Sequence, residues 1–243
     1  MGGVPSYQRF VSAFVGPFKD FFFPPICFSC NHRLMDDESR VCAACWQRIE
    51  RVQQDDHTVN VLRERFKEEG ILDGFHSCYY FQEGEVFQKL VHSLKYEAVT
   101  SFGTELGRHV GRVILDSGTD DEIDGIVPVP LHRLKQRERG YNQSEFICRG
   151  ISEIVGSPVL KDLVRRKKNT VSQTHLTAQE RTGNVGDAFD ISDTMRKFVA
   201  GKKFLVVDDV ITTGSTIGAV AGVLKEVGAV RVIAASAGLA KLH

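Results

Sequence analysis

The amino-acid sequence predicts an α/β protein in which a parallel sheet is flanked by helices. Short, wholly apolar runs such as 204–207 have the composition of strands that are buried on both faces. Segments whose apolar residues recur at helical spacing lie between these runs. A chain that alternates between the two patterns is typical of a parallel sheet with helices packed on it.

The regular elements begin after residue 71, and their order along the chain supports this fold class. Strands are predicted at 75–81, 125–130, 204–207 and 230–235. Helices are predicted at 86–96, 102–115, 143–155 and 215–227. Residues 165–188 fit neither period and are polar and basic, which favours a long loop. A loop of that length in a compact domain is usually functional.

The composition of the 243-residue chain is that of an ordinary globular protein with one or two domains. Its 31 basic and 31 acidic side chains cancel, which disfavours a uniformly basic nucleic-acid-binding protein. No apolar stretch of about 18 residues occurs, so no integral membrane segment is expected. The lack of a recognisable signal peptide favours a cytoplasmic location.

Changes in composition divide the chain into four parts. Residues 1–24 form an apolar, Phe-rich segment that is expected to pack on the protein or on a membrane partner. Residues 25–50 carry two pairs of cysteines. Residues 51–70 are strongly charged and are interpreted as a linker with some helix, and residues 71–243 hold the regular α/β pattern.

Both cysteine pairs in the second part have the spacing C-x-x-C. Each pair can turn two thiolates towards one cation, and two pairs complete the tetrahedral site that zinc prefers. Four cysteine ligands leave no position for water, so the predicted site is structural and forms a small zinc ribbon. Two redox-active or metal-free pairs are the alternative. The candidate ligands are Cys27, Cys30, Cys42 and Cys45.

The stretch FLVVDDVITTGST at 204–216 carries the most specific chemical signal. An apolar strand runs into Asp208 and Asp209, and α/β sheets bind their ligands at the carboxyl ends of strands. The turn that follows opens a helix, whose N–H groups and dipole favour a phosphate. Because carboxylates suit sugar hydroxyls, the stretch is expected to bind a ribose 5-phosphate; an ordinary capped helix start is the alternative. The phosphate-binding residues predicted in the turn are Thr212, Thr213, Gly214, Ser215 and Thr216.

The same stretch resembles the phosphoribosyl-pyrophosphate (PRPP) binding motif of type I phosphoribosyltransferases. Three further stretches extend the likeness, namely HSLKYEA at 92–98, VPVPLHRLKQRERGYNQSE at 127–145 and NTVSQTHLTAQERTGNVGDAF at 169–189. Together with the paired cysteines they resemble the ComF family of late-competence, amidophosphoribosyltransferase-like proteins. The resemblance covers roughly residues 25–238.

The resemblance implies a type I phosphoribosyltransferase-like parallel sheet flanked by helices, preceded by a zinc ribbon. It also implies a PRPP site that works with Mg²⁺, in which Asp208 and Asp209 are the catalytic residues on the ribose hydroxyls. The PRPP loop implied at 206–216 adds Val207 and Val210 to the residues of the turn.

The resemblance places pyrophosphate at 129–133 and a loop that closes over the reaction centre at 165–187. The basic residues that follow 130 are expected to lie in a loop, where alternating cations can neutralise one polyanion. A nucleic-acid backbone is a second possible partner for these cations, and a solvated charge run is the third interpretation. The residues assigned to pyrophosphate or another polyanion are Leu131, His132, Arg133, Arg137 and Arg139.

Two functions remain open at the level of the sequence. The first is binding of PRPP or a related ribose phosphate, with transfer of the phosphoribosyl group to an unidentified acceptor and release of pyrophosphate. The second, which the family resemblance implies, is a non-catalytic protein that binds single-stranded DNA and a competence helicase during DNA uptake in natural transformation. The complete acidic-glycine motif favours a ligand site, and the neutral net charge disfavours strong nonspecific DNA binding.

Overall fold

The computed structural model describes residues 24–35, 38, 40–53, 55–96, 100–118, 123–167 and 188–241. Apart from Pro24, the apolar segment predicted at 1–24 therefore lies outside the described residues. Most of the loop predicted at 165–188 also lies outside them. The chain divides into two compact units, Met1–Arg48 and Ile49–His243.

All four predicted strands and all four predicted helices are present, with additional short elements between them. The strands are β1 (Gly74–Phe81), β2 (Gly125–Pro128), β3 (Arg165–Arg166), β4 (Phe189–Asp190), β5 (Lys203–Ile211) and β6 (Arg231–Ala240). The helices are α1 (Ala43–Gln47), α2 (His57–Glu68), α3 (Val86–Tyr96), α4 (Thr100–Asp116), α5 (Arg133–Arg139), α6 (Gln143–Val155), α7 (Asp193–Val199) and α8 (Ser215–Glu226). Among these described helices, none has the length and apolar character that crossing a bilayer requires.

The central sheet of the larger unit has four strands in the order β1-β6-β5-β2, and every pair in it is parallel. The predicted parallel sheet is thus confirmed. Strand β5 continues past its predicted end at 207, because Val210 and Ile211 still pair with Gly238 and Leu239 of β6. Asp208 and Asp209 therefore lie within the last four residues of β5 rather than beyond its end.

Both faces of the sheet are covered by helices, as expected for a parallel sheet. On β5, Phe204 and Val206 alternate with Leu205 and Val207, and all four side chains are fully buried. The first pair packs in one core with apolar residues of α2 and α8. Helices α4 and α6 contact the strands from the other side.

Helices α4 and α6 approach each other closely because glycines line their contact. A Cβ added at Gly107 of α4 would overlap the carbonyl oxygen of Ile147. A Cβ added at Gly150 of α6 would overlap the carbonyl oxygen of Thr104. This contact fixes α6, whose first residues reach the candidate site at the end of β5.

The segment 51–70, interpreted from its charge as a linker, contains a helix of the core. Helix α2 buries Val59, Leu62 and Phe66 in the same apolar cluster as the sheet. These positions recur at helical spacing, and the charged residues lie on the exposed side of the helix. The linker interpretation therefore does not hold for this helix.

The α4–α6 contact predicts unequal effects of alanine at two helical glycines. Gly150→Ala should lower the free energy of unfolding by about 3 kcal/mol, because its methyl group meets backbone atoms that cannot yield. Gly222→Ala in α8 is the matched control, since nothing lies within 4 Å of its added Cβ. It should raise the free energy of unfolding by about 0.5–1 kcal/mol through helix propensity. Denaturant titration measures both, and equal effects of the two substitutions would contradict the packing described.

Candidate functional site

The candidate site lies at the carboxyl edge of the sheet, where β5 ends. A cavity of about 440 Å³ opens there beside Asp208 and Asp209. A smaller cavity of about 30 Å³ lies against the turn after β5 and shares Asp208 and Thr216 with the larger one. Parallel α/β sheets bind ligands at this edge. The larger cavity is lined by Lys95, Val129, Pro130, Leu131, His132, Lys135, Arg139, Gln143, Ser144, Arg166, Asp208, Asp209 and Thr216.

Asp208 is held by hydrogen bonds from two different elements. Its Oδ1 accepts from the Ser144 hydroxyl at 3.2 Å and from the Asp209 backbone N–H at 2.9 Å. Burial and the neighbouring Asp209 carboxylate raise the pKa of Asp208 to about 8. The side chain is therefore mostly protonated near neutral pH. A protonated carboxyl group both donates and accepts, which suits a sugar hydroxyl.

Asp209 differs from Asp208 in its electrostatic environment, because a lysine side chain lies beside its carboxylate. Its Oδ2 lies 3.1 Å from the Nζ of Lys95, which comes from α3. Its Oδ1 accepts from the Val210 backbone N–H at 2.8 Å. The two adjacent carboxyl groups are thus differentiated, with Asp208 neutral and Asp209 ion-paired. Such a difference between neighbours is common where carboxyl groups have separate chemical tasks.

The turn at 212–216 surrounds the smaller cavity at the N-terminus of α8. Gly214 precedes the helix with a φ of 75°, a backbone conformation that favours glycine. A side chain at this position would also overlap the ring of Phe66 from α2. The guanidinium of Arg65, again from α2, donates to the Thr213 carbonyl oxygen. The first N–H groups of α8 have no partners within the helix, so the turn can bind a phosphate.

The basic segment after β2 forms helix α5, which corrects the predicted loop. Residues four apart share a face of a helix, and Lys135 and Arg139 accordingly both line the larger cavity. Arg137 is exposed and is not part of the lining. The side chain of Arg133 lies outside the described part of the chain. Because the segment is helical, its cations lie on different faces, and only some of them reach the cavity.

The remaining predicted residues are divided between the two cavities and the core. Leu131 and His132 line the larger cavity, and Val210 lines the smaller one. Val207 lines neither, because its side chain is fully buried within the sheet. Its carbonyl oxygen accepts from the Val129 N–H at 2.8 Å and so joins β5 to the segment that follows β2.

Five polar residues of the larger cavity were not among the predicted site residues, namely Lys95, Lys135, Gln143, Ser144 and Arg166. They come from α3, α5, the first turn of α6 and β3, which only tertiary packing brings together. Four of them do lie in stretches that carry the family resemblance, 92–98 and 127–145, so that signal could have found them. With Arg139, the cavity has four cations against two carboxyl groups, which favours a polyanionic ligand.

Gln143 has the features of a ligand contact. Its side chain is 1% exposed, and its Nε2 has no hydrogen-bond partner among the described residues. A buried amide that lacks a partner costs free energy, and a ligand oxygen in the cavity would provide one. Asn142 fixes the start of α6 beside it, since its side-chain N–H donates to the Val129 carbonyl oxygen at 3.0 Å.

Arg166 belongs to a short antiparallel ladder at the edge of the cavity. Strand β3 pairs with β4, with Arg165 opposite Asp190 and Arg166 opposite Phe189. The Arg166 guanidinium lies 5.3 Å from the Phe189 ring centroid, and burial lowers its pKa. The residues between the two strands, 168–187, lie outside the described part of the chain, and with them most of the loop that is expected to close over the site.

The smaller unit brings its four predicted ligands together. The sulfur atoms of Cys27, Cys30, Cys42 and Cys45 all lie within 4.8 Å of one another. Those of Cys30 and Cys42 are 3.7 Å apart. Zn–S bonds of about 2.3 Å give a tetrahedron with edges of about 3.8 Å, which agrees with this spacing. The cluster could therefore hold a metal such as zinc.

The thiols of the cluster differ in their readiness to ionise. Burial opposes ionisation of Cys27, but backbone N–H groups of Cys42, Cys30 and Ser29 outweigh it and lower the pKa to about 7. Burial and the adjoining thiols raise the pKa of Cys45 to about 12. A bound divalent cation is the partner that would let all four sulfur atoms be thiolates together.

The fold and the site together define the class of this protein. Residues 149–238 match the family model described as the phosphoribosyl transferase domain. That segment includes β5, the turn at 212–216 and α8. The parallel sheet flanked by helices is the fold of type I phosphoribosyltransferases.

Curated relatives give a likeness to one family within this class. Competence protein F of Haemophilus influenzae is 26% identical over 217 residues, which are 85% of this chain and 93% of that protein. Competence protein ComFC of Bacillus subtilis is 23% identical over 209 residues, 84% of this chain and 79% of that protein. DNA utilization protein YhgH of Escherichia coli is 32% identical over 146 residues, 59% of this chain and 63% of that protein. Together with the phosphoribosyl transferase domain match, these likenesses support the ComF family for this chain.

Solved structures give a more distant likeness. The structure of the allosteric regulatory enzyme of purine biosynthesis aligns with a TM-score of 0.37 at 23% identity. The alignment covers 57% of this chain and 26% of that chain. This chain therefore spans about a quarter of the length of that enzyme.

The cysteine cluster predicts that metal content depends on each of its four thiols. Protein purified with zinc should hold about one zinc ion per chain, and Cys42→Ser should lose most of it. Cys78→Ser is the matched control, because Cys78 is buried in β1 outside the cluster. Elemental analysis by mass spectrometry measures the zinc content. Equal zinc in Cys42→Ser and wild type would contradict a four-cysteine site.

The raised pKa of Asp208 predicts a stability that falls as pH rises. The carboxyl titrates near 3.8 when unfolded and near 8 when folded, so between these values the folded protein holds a proton that the unfolded chain has released. This contribution to stability is complete below about pH 4 and is lost by about pH 8, with a slope of at most about 1.4 kcal/mol per pH unit.

Asp208→Asn removes this titration while keeping a neutral side chain of similar shape. The free energy of unfolding of the variant, relative to wild type, should therefore increase from about pH 5 to about pH 8. Denaturant titrations at the two pH values measure the difference. Asp193→Asn, at an exposed carboxylate in α7, controls for a general effect of charge removal. A constant difference between Asp208→Asn and wild type would contradict the raised pKa.

Proposed function

We propose that the protein binds PRPP, or a closely related ribose 5-phosphate, at the carboxyl edge of its sheet. The proposal rests on the junction of the two cavities at Asp208. The smaller cavity has helix N–H groups and hydroxyls, and the larger one has carboxyl groups and a surplus of cations. A ligand that fills both carries a phosphate, a hydroxylated sugar and a second anionic group, as PRPP does.

Each part of the ligand has chemically matched residues. The turn at 212–216 binds the 5-phosphate through N–H groups at the start of α8. Asp208 and Asp209 bind the ribose hydroxyls as hydrogen-bond partners. Lys135 and Arg139 lie on one face of α5 and neutralise the pyrophosphate. The Gln143 amide, which has no partner among the described residues, donates to a ligand oxygen.

Magnesium fits this donor set as a companion of the ligand. Mg²⁺ in such sites is usually held by one or two carboxylates together with substrate phosphates. Asp209 is the ionised carboxylate that lines the cavity, and Asp208 would become a second one on releasing its proton as the ion binds. When bound, the ion would supply charge neutralisation to the pyrophosphate as it departs.

Phosphoribosyl transfer is the reaction that this arrangement supports. The bond between ribose C1 and the pyrophosphate oxygen breaks, and its electron pair leaves with pyrophosphate. A bond from a nucleophilic atom of the acceptor to C1 forms, and the acceptor releases its proton. The protein contributes orientation of the reactants and stabilisation of the developing charge, with the cations of α5 facing the leaving group.

A second candidate function is suggested by the names of the relatives. Two of them are called competence protein F and DNA utilization protein. In this candidate function, the cations of the larger cavity bind phosphates of single-stranded DNA during uptake, with a competence helicase as a partner. Affinity that depends on such contacts would fall steeply with salt and would not require the two aspartates.

The PRPP proposal predicts that binding requires the two aspartates. Calorimetric titration with PRPP and Mg²⁺ should give saturable binding by wild type, weakened at least tenfold in Asp208→Asn/Asp209→Asn because both ribose contacts lose their carboxylates. Asp190→Asn/Asp193→Asn is the matched control, since these carboxylates pair with Arg196 away from the cavity. Absence of binding by folded, zinc-loaded wild type would overturn the proposal and favour the DNA-binding alternative.

A further inference from the structure

A second cavity of similar size lies at the opposite edge of the sheet. It measures about 480 Å³ and opens at the amino ends of β1 and β6, beside Gly74 and Arg231. None of the described residues that line it lines either cavity at the carboxyl edge. This amino-edge cavity is independent of the site proposed for PRPP.

The amino-edge cavity carries a surplus of positive charge. Arg63, Lys67 and Arg231 line it, and Asp73 is the single acidic residue in the lining. The Asp73 carboxylate is already neutralised, because its Oδ2 lies 2.6 Å from the Lys225 Nζ and accepts from a backbone N–H. Lys67 and Arg231 therefore face the cavity with no comparable negative charge among its described lining residues, and Arg63 lies beside them with its guanidinium donating to the Asn60 side-chain oxygen at 3.0 Å.

A buried imidazole lies among these cations. His76 is 8% exposed, and its Nδ1 has no hydrogen-bond partner among the described residues. Burial and the charges of Arg63 and Arg231 lower its pKa to about 4, so the ring is neutral near pH 7. A neutral ring nitrogen that is buried without a partner costs free energy, which a hydrogen bond from a ligand would recover.

The remainder of the lining is apolar. Phe66, Leu72 and Phe75 form part of the wall, and the two aromatic rings lie with centroids 6.3 Å apart. A concave site of a few hundred Å³, with an apolar wall and a few convergent polar groups, is the usual form of a small-molecule site. Its size suits a ligand of about the dimensions of a mononucleotide.

We propose that the amino-edge cavity binds a small organic phosphate of about mononucleotide size. Arg63, Lys67 and Arg231 hold the phosphate, for which guanidinium groups and an ammonium group are the matching side chains. A polar group of the ligand forms a hydrogen bond with the Nδ1 of His76. The apolar part of the ligand lies against the wall beside Leu72.

Binding of 1-naphthyl phosphate tests this proposal, because this organic phosphate has no ribose hydroxyls for Asp208 and Asp209 to bind. Calorimetric titration should give saturable binding by wild type, weakened at least tenfold in both Arg231→Gln and Lys67→Gln. Both replacements keep a polar side chain at the rim and leave the core intact. Arg196→Gln, which removes an exposed arginine of α7, is the matched control and should bind as wild type does.

Two further measurements separate this site from the carboxyl edge. The Asp208→Asn/Asp209→Asn variant should bind 1-naphthyl phosphate as wild type does, whatever its affinity for PRPP. In wild type, the phosphate should raise the pKa of His76, observed by NMR titration of its imidazole C–H signal. Absence of saturable binding of both 1-naphthyl phosphate and inorganic phosphate would overturn the proposal. It would also be overturned by binding that survives both rim substitutions or that is lost in the double aspartate variant.

Discussion

Two adjacent carboxyl groups at the end of a buried strand impose the main electrostatic constraint on this structure. Asp208 and Asp209 repel each other when both are ionised, and burial strengthens that repulsion. The protein satisfies the constraint by keeping the first protonated beside Ser144 and by pairing the second with Lys95. Helices α3 and α6 must therefore both reach this strand end. The glycine contact between α4 and α6 holds α6 where that is possible.

Helix α2 supports the turn at 212–216 from the opposite face of the sheet. Phe66 lies against Gly214, and Arg65 donates to the Thr213 carbonyl oxygen, so the turn is fixed by residues about 150 positions away. The charge of 51–70 concealed this role, because a helix with one apolar stripe has few apolar residues in total. The spacing of Val59, Leu62 and Phe66 nevertheless predicts a helix with one apolar face. For this segment, the spacing of the apolar residues predicts the structure better than the average polarity does.

Local features of the chain could be predicted, and features that depend on tertiary packing could not. The strand-turn-helix unit around Gly214 follows from apolar runs and glycine within one short stretch. Lys95 and Arg166 enter the same cavity from distant elements, and nothing local to either residue specifies that meeting. The loop predicted for the basic segment after β2 was wrong for another reason. The alternating spacing of the cations was interpreted as a loop that presents all of them to one ligand. The segment instead forms helix α5, which places Lys135 and Arg139 on one face at the cavity and leaves Arg137 outside the cavity lining.

Phe66 is common to the two edges of the larger unit. Its ring packs against Gly214 in the turn at 212–216 and also lines the amino-edge cavity. A ligand in that cavity would therefore contact a side chain that sets the shape of the turn. For the same reason, substitution of Phe66 would disturb both places and could not distinguish between them. Asp209 and Arg231 each line one cavity alone, and for that reason changes at these two residues report on the two sites separately.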